Sequence, residues 1–262
     1  MSIAVRIAIR YLLAKKSRNI INIIAWISVI GVMIGAFGLL IVLSVFNGLH
    51  DLVGSLYGSF DPGLKVTART GKVFSTDSIN YEGLVRIEGV DALTEALEDH
   101  TLFRFGKRQV PGLVLGVDDN FNKVSSIDSI IVEGESSLRD NVFNKGILGY
   151  ALADQLGYRL NFVTPLMLYT PERTKKINPA RPDQAFTSSY INPSGIFMVN
   201  QIDYDANYVI IHIDQARQML SYDTTIVSWL GIKLSDPLAG NGVKEEVKKT
   251  LGENFLVQNR EE

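Results

Sequence analysis

The pattern of apolar and polar positions divides the chain into three stretches. From Ile20 to Phe46, 27 residues pass without one charge. A spanning helix needs about 20 such residues to cross a hydrocarbon core of roughly 30 Å. At about 1.5 Å per residue the run reaches roughly 40 Å, so it crosses with tilt or protrudes on one side. A cleaved signal peptide has an apolar core of only about 7–15 residues and a small-residue cleavage site. The exit Ser44-Val45-Phe46-Asn47 has no such site, so the run is read as an uncleaved transmembrane helix over 20–46. Leu49, Leu52, Val53 and Leu56 keep the i, i+3, i+4, i+7 spacing and predict a helical stalk over 47–60. Gly58-Ser-Phe-Asp-Pro-Gly63 ends it.

Beyond that turn the period shortens. Alternating runs predict strands at Leu64–Ala68, Thr101–Phe105, Gln109–Val117, Val163–Tyr169, Gly195–Ile202, Asn207–Ile213 and Ile226–Leu234. Helical spacing predicts Ile79–Ile87, Gly149–Leu156, Ile213–Leu220 and Val243–Leu251. Strands mixed with short helices predict one α+β domain over 61–258.

Within the apolar run, Ser28, Gly31, Gly35 and Gly38 are spaced 3, 4 and 3 and form a stripe of small residues. Such stripes let helix backbones approach closely in lipid. Glycine is also common in membrane helices, so the alternative is a stripe without a partner.

Charge adds an orientation. Residues 1–19 carry five basic side chains (Arg6, Arg10, Lys15, Lys16, Arg18) and no acid, whereas the remainder is net acidic. The positive-inside rule then leaves the N-terminus in the cytoplasm and sends residues 47–262 across the membrane. Ile3, Ile7, Tyr11 and Ala14 share a helical face, which fits a helix lying on the inner membrane surface or a plain basic flank. A net charge of −2 gives no general case for nucleic-acid binding.

One connection stands out. Some 20 residues separate Tyr169 from Tyr190, and five of the eight prolines fall between Pro165 and Pro193. Loops this long in a compact domain are usually functional or disordered. Residues 171–183 carry Arg173, Lys175, Lys176 and Arg181 against Glu172 and Asp183, a basic stretch on an acidic domain. That fits a docking element for an acidic partner or a solvated loop with no partner.

The sequence carries no recognisable catalytic pattern. There is no cysteine, which excludes disulfides, thiolate metal sites and a cysteine nucleophile. His50, His100 and His212 lack metal-ligand spacing. The pairs Asp118-Asp119, Asp203/Asp205 and Glu245-Glu246 read as solvated turns, with a hairpin turn at Tyr204. Gly146-Ile-Leu-Gly149 reads as opening a helix. No P-loop, nucleophile elbow or HExxH occurs. No catalytic, cofactor or metal residue is predicted.

Several stretches carry a family resemblance: the basic N-terminus ending Arg10-Tyr11-Leu12, the run through Val42-Leu-Ser-Val-Phe-Asn-Gly48, Leu115-Gly-Val-Asp118, Gly149–Gly157, and Val209–Leu220. Together they resemble lipoprotein-releasing (Lol-type) ABC transporter permeases, within the FtsX-like and macrolide-exporter-type permease family. The resemblance covers essentially the whole chain, more loosely at 119–145 and the long loop. It implies a bacterial inner-membrane permease subunit working as a homo- or heterodimer with cytoplasmic ATPase subunits. It implies a periplasmic domain with a porter-like part (64–118 with 226–258) and an inserted Sabre-like part (119–225). It also implies that the loop at 170–188 is a hook for a periplasmic lipoprotein chaperone. Arg173, Lys175, Lys176, Ile177, Pro179, Arg181 and Pro182 would then be its docking residues. Leu39, Val42, Phe46 and Leu49 would face the acyl chains of a lipoprotein extracted from the membrane. ATP hydrolysis would reside in a separate subunit.

Residues 259–262 fall where the family's second helix should approach, so the chain is expected to be an N-terminal portion of such a permease. Two rival readings stand beside it: an exporter-type permease of the same architecture with other cargo and, in a different class, an FtsX-like membrane-anchored regulator of a periplasmic hydrolase.

Overall fold

The computed structural model describes residues 19–57, 61–140, 143–160, 164–173, 185–235 and 240–259, together with Ile3, Ile7 and Arg10. Two compact units divide at Ser55/Leu56.

The first unit is dominated by one unbroken helix, α1 (Asn19–Tyr57). The apolar run and the stalk spacing are therefore one element. Its stretch Ile23–Leu49 is long and apolar enough to cross a membrane, and none of its most apolar window is buried. A helix apolar on every side cannot be stable facing water, so its surroundings must be lipid or other apolar helices. At about 100° per residue, the small stripe (Ser28, Gly31, Gly35, Gly38) and Leu39, Val42, Phe46 and Leu49 fall within about 100° of arc. Among the described residues a Cβ added at Gly31, Gly35 or Gly38 would meet nothing within 4 Å.

The second unit carries a ten-stranded sheet ordered β12–β1–β11–β3–β4–β9–β6–β8–β5, with β7 pairing both β3 and β8. The strands are β1 (Leu64–Ala68), β3 (Val90–Phe105), β4 (Arg108–Val117), β5 (Ile131–Gly134), β6 (Lys145–Gly149), β7 (Leu166–Pro171), β8 (Phe186–Phe197), β9 (Tyr208–His212), β11 (Trp229–Leu234) and β12 (Phe255–Asn259). A separate two-stranded ladder joins β2 (Phe74–Ser75) and β10 (Ile226–Val227). Because β7 bridges β3 and β8, the pairings β3–β4–β9–β6–β8–β7 close on themselves. The sheet runs through the segments 64–118, 119–225 and 226–259, joined by the parallel β4–β9 ladder and by β3–β7.

The helices are α2 (Tyr81–Val85), α3 (Phe121–Ser125), α4 (Tyr150–Leu156), α5 (Ile202–Asp205), α6 (Ile213–Leu220) and α7 (Gly240–Leu251). On one face of the sheet, α4 and α6 bury Leu97, Phe103, Val114, Leu168, Ile191 and Ile211. Gly116 makes room for α6, since a Cβ there would lie 2.4 Å from the Cβ of Ala216. On the other face α3 and its neighbours bury Ala96, Leu115, Val117, Ile147, Phe197 and Trp229. A third cluster packs α2 and α7 against β1, β11 and β12.

Several expectations need correcting. Gly146–Gly149 is strand β6, not a helix start; the helix begins at Tyr150. The turn expected around Tyr204 is the short helix α5, and Asp205 is buried rather than solvated because its Oδ1 accepts from the Val199 amide at 2.8 Å. Strand β3 begins at Val90, eleven residues before its expected start. Residues 186–188, expected in the loop over 170–188, belong to β8.

Candidate interaction site on the β7–β8 hairpin

The long connection leaves the sheet from a β-hairpin. Strands β7 and β8 pair antiparallel from Leu166↔Ile191 to Pro171↔Phe186, and the Glu172 amide donating to the Ala185 carbonyl (2.8 Å) carries the ladder one step further. The Thr187 hydroxyl donates to Glu172 Oε2 at 3.0 Å. Burial alternates strictly along β7: Leu166, Leu168 and Thr170 point into the core, and Met167 and Pro171 outward. This is the period-2 signature of a half-buried strand. The Thr170 hydroxyl reaches the Met219 carbonyl at 3.4 Å, fixing β7 to the end of α6.

The outward face is largely apolar. Directly paired residues share a face, which places Arg104, Met167 and Tyr190 in one row across β3, β7 and β8. Leu102, Tyr169 and Ser188 form the next row. Met167, Phe186 and Tyr190 are 38 %, 51 % and 58 % exposed. Arg104 donates to the Tyr169 hydroxyl (3.3 Å) and the Gly106 carbonyl (3.2 Å), which holds its charge on this face. Exposed aromatic and methionine side chains grouped beside a cation are typical of surfaces that bind other proteins.

Of the loop residues singled out by sequence, Arg173 is described. It pairs with Asp99 of β3 and donates to the Tyr222 hydroxyl, with its guanidinium 4.8 Å from the centre of that ring. Lys175, Lys176, Ile177, Pro179, Arg181 and Pro182 lie outside the described residues. In α1, Ser28 donates to the Ile24 carbonyl at 3.0 Å, and Leu39, Val42, Phe46 and Leu49 are all exposed.

Two polar clusters escaped the sequence reading. In a cleft of about 360 Å³, Glu95 accepts from the Tyr81 hydroxyl (2.7 Å) and from Arg217 Nη2 (2.8 Å), beside Asp118, which accepts from Thr94. Burial, more than any neighbouring charge, pushes the Asp118 carboxyl above the ordinary carboxylate range. At the start of α6, His212 Nδ1 accepts from the Asp214 amide (3.2 Å), capping the helix. Its buried Nε2 lies 3.4 Å from Asp119 Oδ1 without a hydrogen-bond geometry. Arg139 bridges Asp119 (3.5 Å) and Asp214 (3.0 Å) over this histidine. Among the described residues no group of three or more His, Cys, Asp or Glu is placed to hold a metal ion.

Comparison with solved structures identifies the architecture. The periplasmic region of MacB from Actinobacillus actinomycetemcomitans superposes with a TM-score of 0.52 at 11 % identity, covering 79 % of this chain and 92 % of that one. The extracellular domain of the noncanonic ABC-type transporter YknZ from Gram-positive bacteria gives 0.51 at 12 % identity, covering 75 % and 99 %. The fold is thus that of the extracytoplasmic region of ABC-type permeases, here with a membrane-length apolar helix before it.

A curated relative narrows the resemblance. The lipoprotein-releasing system transmembrane protein LolC of Neisseria meningitidis serogroup B is 27 % identical over 247 residues, covering 88 % of this chain. The chain spans 54 % of that relative's length. No protein-family model matches the chain.

Proposed function

We propose that this chain is part of a permease subunit whose ABC transporter extracts lipoproteins from the bacterial inner membrane and delivers them to a periplasmic chaperone. The observation that carries the reading is the β7–β8 hairpin: an apolar, aromatic face beside a basic connection, on a permease-type domain. The similarity to LolC supports the same branch.

In this reading the N-terminus is cytoplasmic and the second unit periplasmic, as the five basic residues before α1 favour. Ser28, Gly31, Gly35 and Gly38 pack α1 against a helix of a second permease subunit. Leu39, Val42, Phe46 and Leu49, on the same arc, line the space that receives acyl chains. Segments 64–118 and 226–258 act as the porter-like part and 119–225 as the inserted part. Lys175, Lys176 and Arg181, with Ile177, Pro179 and Pro182 beside them, meet an acidic rim on the chaperone. Met167, Phe186 and Tyr190 supply the apolar contact. Separate cytoplasmic subunits hydrolyse ATP.

The likeness to MacB and YknZ favours a second reading, a permease of the same architecture with other cargo. A pull-down of the detergent-solubilised chain against a purified periplasmic lipoprotein chaperone from the same bacterium separates the two. Capture that is lost when residues 174–184 are replaced by a Gly-Ser linker supports chaperone docking. Absence of capture by the intact chain overturns it and leaves the second reading.

A further inference from the structure

We infer that Arg173 is not a docking residue but a positioning residue: with Asp99 and Tyr222 it forms a clamp that fixes the direction in which the 174–184 connection leaves the domain. The inference rests on the docking role proposed above for what that connection does, but not for how the clamp is built.

Three elements meet at the clamp. In the β3–β7 register Leu102 faces Tyr169, so the chain beyond Tyr169 runs back along β3 toward Asp99. Asp99 waits there with 10 % of its side chain exposed, and Arg173 pairs with it at 35 % exposed. Tyr222 comes from the end of α6. It follows the left-handed Ser221 that ends α6, and its amide donates to the Arg217 carbonyl at 2.9 Å, so its ring is held by the helix terminus. The guanidinium lies against this ring at 4.8 Å and also donates to its hydroxyl. A planar guanidinium satisfies a carboxylate and an aromatic ring together, which a lysine could not do.

The other side of the neck is closed independently. Glu172 pairs with Ala185 through the backbone and with Thr187 through its side chain. Both ends of the hairpin are therefore fixed within two or three residues of where the connection departs. The arrangement also separates the charges by task. Arg173 is neutralised locally by Asp99, yet residues 174–184 still carry Lys175, Lys176 and Arg181 against Asp183. The basic character available to a partner does not depend on Arg173. A fixed departure direction lowers the ordering cost of docking, because fewer orientations are lost on binding.

The test uses the absence of native cysteines. Cysteines at Lys107, in the exposed β3–β4 turn, and at Asn178 are spin-labelled in the full chain in nanodiscs. Pulsed dipolar spectroscopy then reads the spread of distances between them. Asp99→Asn should broaden the distribution about twofold and weaken chaperone binding about tenfold, although it raises the local positive charge. Tyr222→Phe should broaden it less. Arg173→Lys, which keeps the charge but not the planar contact with Tyr222, should broaden it to an intermediate extent at an unchanged unfolding midpoint, a graded response that a general loss of folding would not give. An unchanged distribution in Asp99→Asn overturns the clamp. If the native chain binds no chaperone, the docking reading fails while the distance measurement still decides the clamp.

Discussion

Arg217 Nη2 lies 2.8 Å from Glu95 Oε2, and the arginine side chain is 8 % exposed. The pair ties α6 to the middle of β3 across the sheet, while Arg217 Nε donates to the Ile226 carbonyl at 3.1 Å and draws in β10. Glu95 also accepts from Tyr81 of α2. Removing the arginine strands a carboxylate that is three-quarters covered. Arg217→Ala should therefore cost about 2–3 kcal/mol, below the penalty for a fully buried pair because Glu95 keeps some access to water. The midpoint of chemical unfolding of the full chain in detergent measures it. A shift within error of the native protein would mean that the pair is ornamental.

Gly116 and Ala216 set how closely α6 approaches the sheet. A Cβ on Gly116 would meet the Ala216 Cβ at 2.4 Å and the Ile213 Cα at 3.2 Å. Gly116→Ala should destabilise by about 2 kcal/mol through overpacking. Ala216→Gly alone should cost about 1 kcal/mol in helix propensity. The double variant should lose less than the two added together, since the second change removes the first clash. Strict additivity in the unfolding data would show that the helix is displaced for another reason.

His212 makes a pH prediction with a defined sign. Burial, then repulsion from Arg139, holds its pKa below the ordinary imidazole value of 6.5, against the opposing pull of Asp214 and Asp119. The unfolded chain thus takes up the proton at higher pH than the folded one. Stability from this group is fully present above about pH 6.5 and falls as the pH drops from there to the folded pKa. Asp118 runs the other way: its folded pKa is raised above 3.8, so acidification toward that value favours the folded state through this carboxyl. Asp118 is partnered by Thr94, and Glu95 lies in the same cleft. Between pH 7.5 and 5.5 the native chain should lose stability, and His212→Gln should lose less. Parallel curves for the two proteins would remove His212 from the account.

These relationships explain what could be read from the residues alone. Strands β1, β4 and β9 and helix α6 were legible because apolar side chains recur at the right period and face one core. The first half of β3 was not, since its Glu, Ala and Leu favour helix by propensity. It is strand because Glu95, Glu98 and Asp99 each find a partner from another element: Arg217 and Tyr81, Tyr208, and Arg173. The start of β8 was hidden by Ser188, Ser189 and Pro193. The proline is accommodated where the β6–β8 register slips between Gly146 and Ile147, a bulge that tolerates it. The Asp99–Arg173 pair joins residues 74 apart in sequence. No local spacing can announce such a contact, which is why Arg173 reads as one more loop cation until the fold is known.

Gly35 tests the role of α1. Among the described residues a Cβ there meets nothing within 4 Å, so the position is restrictive only where another helix packs against it. Gly35→Leu should leave the unfolding of the second unit unchanged and reduce co-purification of a second permease subunit when the variant is placed in a full-length permease. Undiminished co-purification would detach the small stripe from assembly.

The last prediction concerns the tip of the hairpin connection. Changing Lys175, Lys176 and Arg181 together to glutamine removes three positive charges while leaving the Asp99–Arg173–Tyr222 contacts in place. If these lysines and the arginine steer an acidic chaperone, affinity at low ionic strength should fall about tenfold, chiefly through slower association. The difference should shrink as salt rises, because screening over about 10 Å at 0.1 M already suppresses attraction between exposed charges. Replacing Met167, Phe186 and Tyr190 on the adjoining sheet face should do the opposite, raising the dissociation rate with little change in salt dependence, since apolar contact acts after encounter. Measuring both variants by surface plasmon resonance at several salt concentrations separates steering from contact. Equal affinities for the native chain and the lysine–arginine variant at every salt concentration would reduce the connection to a spacer, with recognition left to the sheet face.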